Sequence, residues 1–189
     1  MKILILNAHP YSKSFSKQIA DRYSAGAKDS GHEVELVNIY DLKFNPNLSC
    51  GYHEVSPLED DLLKQQDLIK WCDHLVLVTP IWWGGLPALA KGYVDRVLLP
   101  GFAYKYTAKG LEKHFKGKSA RVIYTQGASR IASDVFLLSS AWRIIKLGIL
   151  SFCGFWPVKR TVLANMSTVS EAKKEEFLDK IYHLGKRAA

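Results

Sequence analysis

Thr79-Pro80-Ile81-Trp82-Trp83-Gly84-Gly85-Leu86-Pro87 decides how this chain is read. Just before it, Leu75-Val76-Leu77-Val78 is a short, unbroken apolar run, the mark of a strand buried on both faces. Just after it, Pro87 stands where a first-turn proline opens a helix, and Leu89, Ala90, Tyr93, Val94, Val97 and Leu98 recur at helical spacing. The two tryptophans therefore lie on a loop leaving the carboxyl end of a strand. In open α/β sheets ligands bind along that rim. Two adjacent aromatics backed by two glycines offer a planar wall and a backbone bare enough for a ligand to approach closely. The competing explanation is that Trp82 and Trp83 only cap the core.

Working outward, strands and helices alternate along the whole chain. Ile3 to Leu6 reads as a first strand, Ser16 to Ala27 as a helix and Glu33 to Asn38 as a second strand. Residues Tyr40 to Val55 carry Asn45-Pro46-Asn47 and Gly51 and read as a loop. Ser56-Pro57-Leu58-Glu59 has the form of a capping box and predicts a helix from there through Trp71. Ala120 to Thr125 is a fourth strand, the apolar stretch from about Val135 to Phe152 a long helix, and Thr161 to Ala164 a fifth strand. Thr168-Val169-Ser170-Glu171 is a second capping box, and Phe177, Leu178, Ile181 and Leu184 place one apolar stripe on the last helix. The order predicts an α/β fold: a flavodoxin-like, doubly wound, five-stranded parallel sheet with helices on both faces. With no repeat, low-complexity tract or linker, residues 1–189 read as one domain.

Composition narrows the function classes. Lys+Arg 26 against Asp+Glu 18 gives a net charge of +8, which suits anionic partners such as phosphorylated cofactors or an anionic membrane surface. Charge is the sole argument for nucleic acid, and no recognition motif accompanies it, so none is expected as a partner. Cys50, Cys72 and Cys153 have no paired spacing, which argues against a disulfide framework or structural zinc and for a reducing compartment. The expectation is a cytoplasmic protein with no metal. The apolar run Ile3 to Leu6 is too short for a secretory signal, and Lys146 and Gly148 keep the segment Leu147 to Trp156 short of a membrane span.

In such a sheet the ligand loops follow strands one, three and four. The first, Asn7 to Ser16, contains no glycine, so neither a GxGxxG fingerprint nor a P-loop is present. His9 and three serines lead instead into a helix amino end, where hydroxyls and free backbone N–H groups can hold a phosphate; an ordinary serine-capped helix gives the same pattern. The loop Thr125-Gln126-Gly127-Ala128-Ser129-Arg130 could hydrogen-bond the polar edge of an isoalloxazine ring, with Arg130 either balancing charge on a reduced ring or standing in solvent. Convergence of the three loops on one cofactor makes a flavin the expected ligand, with Trp82 and Trp83 as its bed.

These residues resemble the NAD(P)H quinone dehydrogenase family, in the flavodoxin-like group that includes bacterial drug-activity modulators and the ancillary reductases of potassium-efflux systems. His9 followed by Ser14-Phe15 is similar to the family's first flavin loop, and Pro80-x-Trp82-Trp83-x-x-x-Pro87-Ala88-x-x-Lys91-Gly92 to its central signature. Phe102-Ala103-Tyr104-x-Tyr106 and Gly148-Ile149-Leu150-x-Phe152-Cys153-Gly154-Phe155 continue the match in order. The resemblance implies a homodimer with two active sites at its interface, a bound flavin (FAD or FMN), and two-electron, ping-pong reduction of a quinone or similar small acceptor by NAD(P)H. It implies that His9, Ser14, Phe15 and Ser16 hold the phosphates and that Pro80, Ile81, Trp82 and Trp83 hold the ring. Thr125, Gln126, Gly127 and Ala128 would close its other edge. Tyr104, Tyr106 and Phe152 match positions that line the acceptor pocket from the partner subunit; each could instead be a buried aromatic.

One departure is clear. Some members carry a tyrosine and a histidine after the fourth strand that relay a proton, and the corresponding stretch here, Ala128 to Trp142, has neither. No side-chain acid or base is therefore named, and catalysis would rest on positioning and on backbone or Arg130 stabilisation of the reduced ring. A phosphoacceptor regulator would need acidic residues where Asn7, His9 and Thr79 stand. An electron-carrier flavodoxin is usually acidic. A flavin-bearing regulatory subunit bound peripherally to a membrane transporter remains open, since a basic surface suits a cytoplasmic leaflet.

Overall fold

The computed structural model describes residues 1–54, 56–135 and 139–188. Five strands form one sheet: β1 (Lys2–Asn7), β2 (Glu33–Asn38), β3 (His74–Ile81), β6 (Ser119–Gln126) and β7 (Val158–Leu163), in the order β2-β1-β3-β6-β7. All four pairings are parallel, with Leu6 opposite Val37 and Leu77, and Val78 opposite Ile123. Successive strand residues face opposite sides, so Leu4, Leu6, Leu75 and Leu77 enter one core layer while Ile3, Ile5, Val76 and Val78 enter the other. That double burial is why these strands read as unbroken apolar runs.

One layer is roofed by α1 (Phe15–Asp29) and α7 (Glu171–Lys186), which approach closely because Gly26 and Gly185 are bare: a Cβ on Gly26 would lie 2.0 Å from the Tyr182 carbonyl oxygen. The other layer is covered by α2 (Asp60–Trp71), α3 (Ala88–Val97) and the segment around Ile145 to Phe155. The strand order reverses between β1 and β3, and there the loops after β1, β3 and β6 stand side by side at the carboxyl rim.

Four expectations need correction. Ser56 does not cap a helix: α2 begins at Asp60, and Glu59, at the cap position, makes no capping bond. Its carboxylate instead receives the Asn45 N–H (3.0 Å) and Arg96 Nη2 (2.9 Å). At the last helix the cap is Ser170, whose Oγ accepts the Lys173 N–H, two residues later than the box starting at Thr168 suggests. The predicted long helix Val135 to Phe152 is broken. Residues 136–138 of that prediction lie outside the described residues; around them are α4 (Arg130–Val135), α5 (Ser140–Arg143), a π-helical stretch Ile144–Leu150 and the single turn α6 (Ser151–Cys153). Ser139 enters α5 with φ +53°, a left-handed backbone that no continuous helix contains. Finally, the sequence reading has no counterpart for the hairpin of β4 (Tyr104–Thr107) and β5 (Gly110–Lys113), too short and too exposed to give an apolar pattern. Val55, at the end of the predicted loop, lies outside the described residues; the loop itself begins with a 3-10 turn at Ile39–Asp41.

Candidate active site

At the end of β1 the chain turns on its own side chains. Asn7 is buried; its Oδ1 accepts the His9 N–H (3.3 Å) while its Nδ2 donates to Asn38 Oδ1 (3.1 Å). His9 Nδ1 accepts the Tyr11 N–H at 3.0 Å, so the ring proton of the neutral imidazole sits on Nε2. Burial lowers the His9 pKa, which keeps the ring a neutral donor at pH 7. Ser14 caps α1 through the Lys17 N–H (3.2 Å), leaving the N–H groups of Phe15 and Ser16 without intrahelical acceptors. The Phe15 ring packs against the core layer under α1 and the Ser16 side chain is buried. For these two positions the backbone N–H, and not the side chain, is what the helix terminus offers an anion.

After β3, Trp82 and Gly85 exchange both backbone hydrogen bonds (3.0 and 2.9 Å) around Trp83 (φ +51°) and Gly84 (φ +73°). Two positive φ values in succession make this a type I′ turn. The turn throws Trp83 off the protein surface: it is fully exposed, at 105%, and Trp82 is 45% exposed. Neither caps the core. Trp82 meets His9 edge-on with ring centroids 5.4 Å apart, which joins the first loop to the second. Pro80 is buried in β3 beyond the last residue that β1 pairs, so its missing N–H breaks no ladder on that side. Ile81 is half-buried beside it.

The third loop is braced from beneath. Thr125 and Gln126 are buried, and Gln126 Nε2 donates to the Ala128 and Ser129 carbonyls (3.1 and 3.4 Å). The Met166 N–H reaches the Gln126 carbonyl at 3.2 Å. The Gln126 side chain is thus committed to shaping the loop, and Gly127 and Ala128 form its exposed edge. Arg130 is tied to Asp134 (3.6 Å), which also holds Arg160 (3.3 Å) and the Ser139 hydroxyl (2.5 Å).

Whether a flat cofactor fits can be read from two glycines. Gly85 and Gly127 have no positive φ and no atom within 4 Å of where a Cβ would stand. Neither backbone strain nor packing requires glycine there, and the missing side chains leave bare backbone on which a flat group could lie. Of the other reactive groups, Cys72 and Cys153 are buried thiols pushed up to about 11, which makes them inert at neutral pH. No group of three or more metal-ligating side chains occurs among the described residues.

The predicted acceptor residues also come together, but elsewhere. Tyr104 meets Phe152 at 4.9 Å and Tyr106 at 5.7 Å, both edge-on. Tyr104 and Phe152 line a cleft of about 280 Å³ between α3 and the π-helical stretch, with Tyr52, Lys91, Ile144 and Gly148; Tyr106 stands outside its lining, against Tyr104. None of the described residues lining it belongs to the three rim loops. The structure therefore gathers the predicted residues into two groups, a rim with donors and a flat wall, and a separate aromatic cleft. Sequence reasoning missed Tyr52, because it sits in a loop whose only local signals are Asn45-Pro46 and Gly51.

Comparison with known proteins agrees with this architecture. The chain is 29% identical over 186 residues to an uncharacterized NAD(P)H oxidoreductase of Haemophilus influenzae, covering 95% of this chain and 91% of that one. It is 26% identical to an FMN-dependent NADH:quinone oxidoreductase of Macrococcus caseolyticus, covering 92% of each. The NAD(P)H:quinone oxidoreductase of Methanothermobacter marburgensis superposes with a TM-score of 0.85 at 27% identity, over 100% of this chain and 96% of that one. The family description "flavodoxin-like fold" matches residues 1–185, and the chain belongs to that family.

Proposed function

We propose that this protein is a flavin-dependent oxidoreductase that carries two electrons from NAD(P)H to a quinone or similar small acceptor. The observation that carries the reading is the convergence at one sheet rim of a helix amino end, a projecting aromatic turn and a glycine-opened loop. A flavin, when bound, would supply two-electron redox chemistry between nicotinamide and acceptor. The Phe15 and Ser16 N–H groups, the Ser14 hydroxyl and His9 Nε2–H would hold its phosphate. Trp82 and Trp83 form the flat wall, and the Gly127-Ala128 edge lets the ring's polar side approach backbone. With no tyrosine or histidine in 128–142, water supplies the protons.

The aromatic cleft shares no described lining residue with the rim loops, and this supports a two-fold dimer in which each subunit's Tyr104, Tyr106 and Phe152 complete the other's site. Ile144 (55% exposed), Leu147 (54%) and Trp156 (66%) would be covered by the same interface. Donor and acceptor then share one pocket in turn, the ping-pong order. Unpaired cysteines suit the cytoplasm, and the +8 charge suits peripheral contact with an anionic membrane or a transporter at its surface.

The test is whether the purified protein is yellow or takes up FMN or FAD, with chromatography of the released cofactor naming it. Anaerobic bleaching by NADH or NADPH and re-oxidation by a quinone complete the cycle. In that assay Tyr104→Ala leaves flavin content alone and raises the KM for acceptor. A protein that binds neither flavin ends the reading.

A further inference from the structure

The aromatic cleft has a neighbour. A second cleft, of about 240 Å³, opens beside it, and Leu48, Leu99 and Pro100 give it apolar walls. Tyr52 lines both. It is the partition between them.

The loop that carries this partition is anchored, although Tyr52 itself is 68% exposed. Both ends of the loop that carries it are fixed to α3. Arg96, 4% exposed, donates through Nη1 to the Asn45 carbonyl (2.6 Å) and through Nη2 to the Pro57 carbonyl (2.8 Å). Glu59 bonds the same arginine and the Asn45 N–H (2.9 and 3.0 Å). Pro46 presses onto Gly92 so closely that a Cβ there would stand 2.4 Å from it. At the tip, the Gly51 N–H bonds the Leu48 carbonyl (2.9 Å) and the His53 N–H bonds that of Cys50 (3.2 Å).

Building on the quinone-reductase reading, we propose that the second cleft is a subsite for an apolar ring substituent of the acceptor, and that Tyr52 sets how wide a substituent can pass. The ring lies against Tyr104 and Phe152, and a slender alkyl or prenyl chain runs past Tyr52 between Leu48, Leu99 and Pro100. A dinucleotide's pyrophosphate is a poor occupant. No arginine or lysine is among the described residues lining the second cleft, and Glu54, an acidic residue, is. Gly148, bare in the middle of the π-helical stretch with no atom within 4 Å of its Cβ position, keeps the first cleft open for the ring.

The experiment compares wild type, Ser56→Trp, Tyr52→Ala and Tyr52→Phe, each checked by circular dichroism, with 1,4-benzoquinone and its 2-butyl and 2-tert-butyl derivatives. Each methylene accommodated changes selectivity by about fourfold. Ser56→Trp, which fills the second cleft, should lower the butyl-to-unsubstituted ratio of kcat/KM at least tenfold. It should weaken calorimetric binding of redox-inert 4-butylphenol, relative to phenol, by the same factor. Tyr52→Ala should abolish discrimination between butyl and tert-butyl, and Tyr52→Phe should retain it. Normal anaerobic reduction of the flavin with ratios unchanged in Ser56→Trp and Tyr52→Ala overturns the subsite and leaves the function standing. A wild type whose flavin is not reduced by NAD(P)H overturns the function and the subsite together.

Discussion

Trp83→Gly separates a ligand wall from a packing residue with opposite signs. Trp83 holds φ +51° and is fully exposed, so in the flavin-free chain it contributes strain and almost no burial. A left-handed backbone costs an L-residue about 1–2 kcal/mol. Glycine removes that cost and gives back about 0.5–1 kcal/mol through the greater freedom of its unfolded chain. The net change is a gain of about 0–1.5 kcal/mol, or about 0–6 °C in Tm for a domain of this size. Flavin binding should move the other way. One face of an indole, about a third of the 150–250 Å² an aromatic residue can bury, is worth about 1.5 kcal/mol at 25 cal/mol per Å², and stacking geometry adds about 1 kcal/mol. The sum, about 2.5 kcal/mol, corresponds to about seventyfold weaker flavin binding.

The assay is thermal unfolding of the flavin-free variant together with a fluorescence-quenching titration of FMN and FAD. Because a ligand raises stability by RT ln(1 + [L]/Kd), the Tm gain on adding flavin should shrink in the variant while its flavin-free Tm does not fall. An unchanged flavin Kd refutes the ring-bed assignment. A flavin-free Tm lowered together with conversion of dimer to monomer in light scattering would put Trp83 in the subunit contact instead.

Other consequences are equally direct. His74 is 2% exposed and its pKa is lowered to about 4, first by burial and then by Arg121 and Lys159; the unfolded chain takes up that proton near pH 6.5, so stability falls as pH drops from about 6.5 to about 4. Urea titrations at pH 7.5 and 4.5 should show about 2.5 kcal/mol more acid loss in wild type than in His74→Gln. Gly127→Val should leave urea stability within about 0.5 kcal/mol, since nothing lies near its Cβ position, while reducing flavin retained through gel filtration. Arg96→Met should lower stability by about 2–3 kcal/mol in urea, because it leaves the Asn45 and Pro57 carbonyls without their donor and Glu59, only partly buried, without its cation.

What the sequence made legible follows from which interactions are local in the chain. The five strands and the helices covering them announce themselves through burial, and burial writes a period into the residues: Leu75 to Val78 has to be continuous because a core layer covers each face of β3. The rim loops were legible for the same reason, since a buried strand must end somewhere and the residues at its end are the ones a ligand meets. Ser56 misled because a capping box is a local pattern that a distant residue can overrule. Glu59 would serve a helix start, but Arg96, 37 residues later, lies buried beside it and offers a charge-assisted pair that a capping bond does not match. The segment after Val135 failed differently. Its apolar content is real, yet much of it does not face this chain's core, for Ile144 and Leu147 are exposed where Ile145 and Leu150 are buried. A helix with two apolar faces has no single stripe to fix its winding, and at Ile144–Leu150 the chain widens to five-residue hydrogen bonds, with the Ser151 N–H on the Lys146 carbonyl. That winding sets Ile144 and Gly148 along the cleft that holds Tyr104 and Phe152. A pattern that divides its apolar residues between the protein's own core and an open cleft cannot be decoded by a reading that assumes a single buried face.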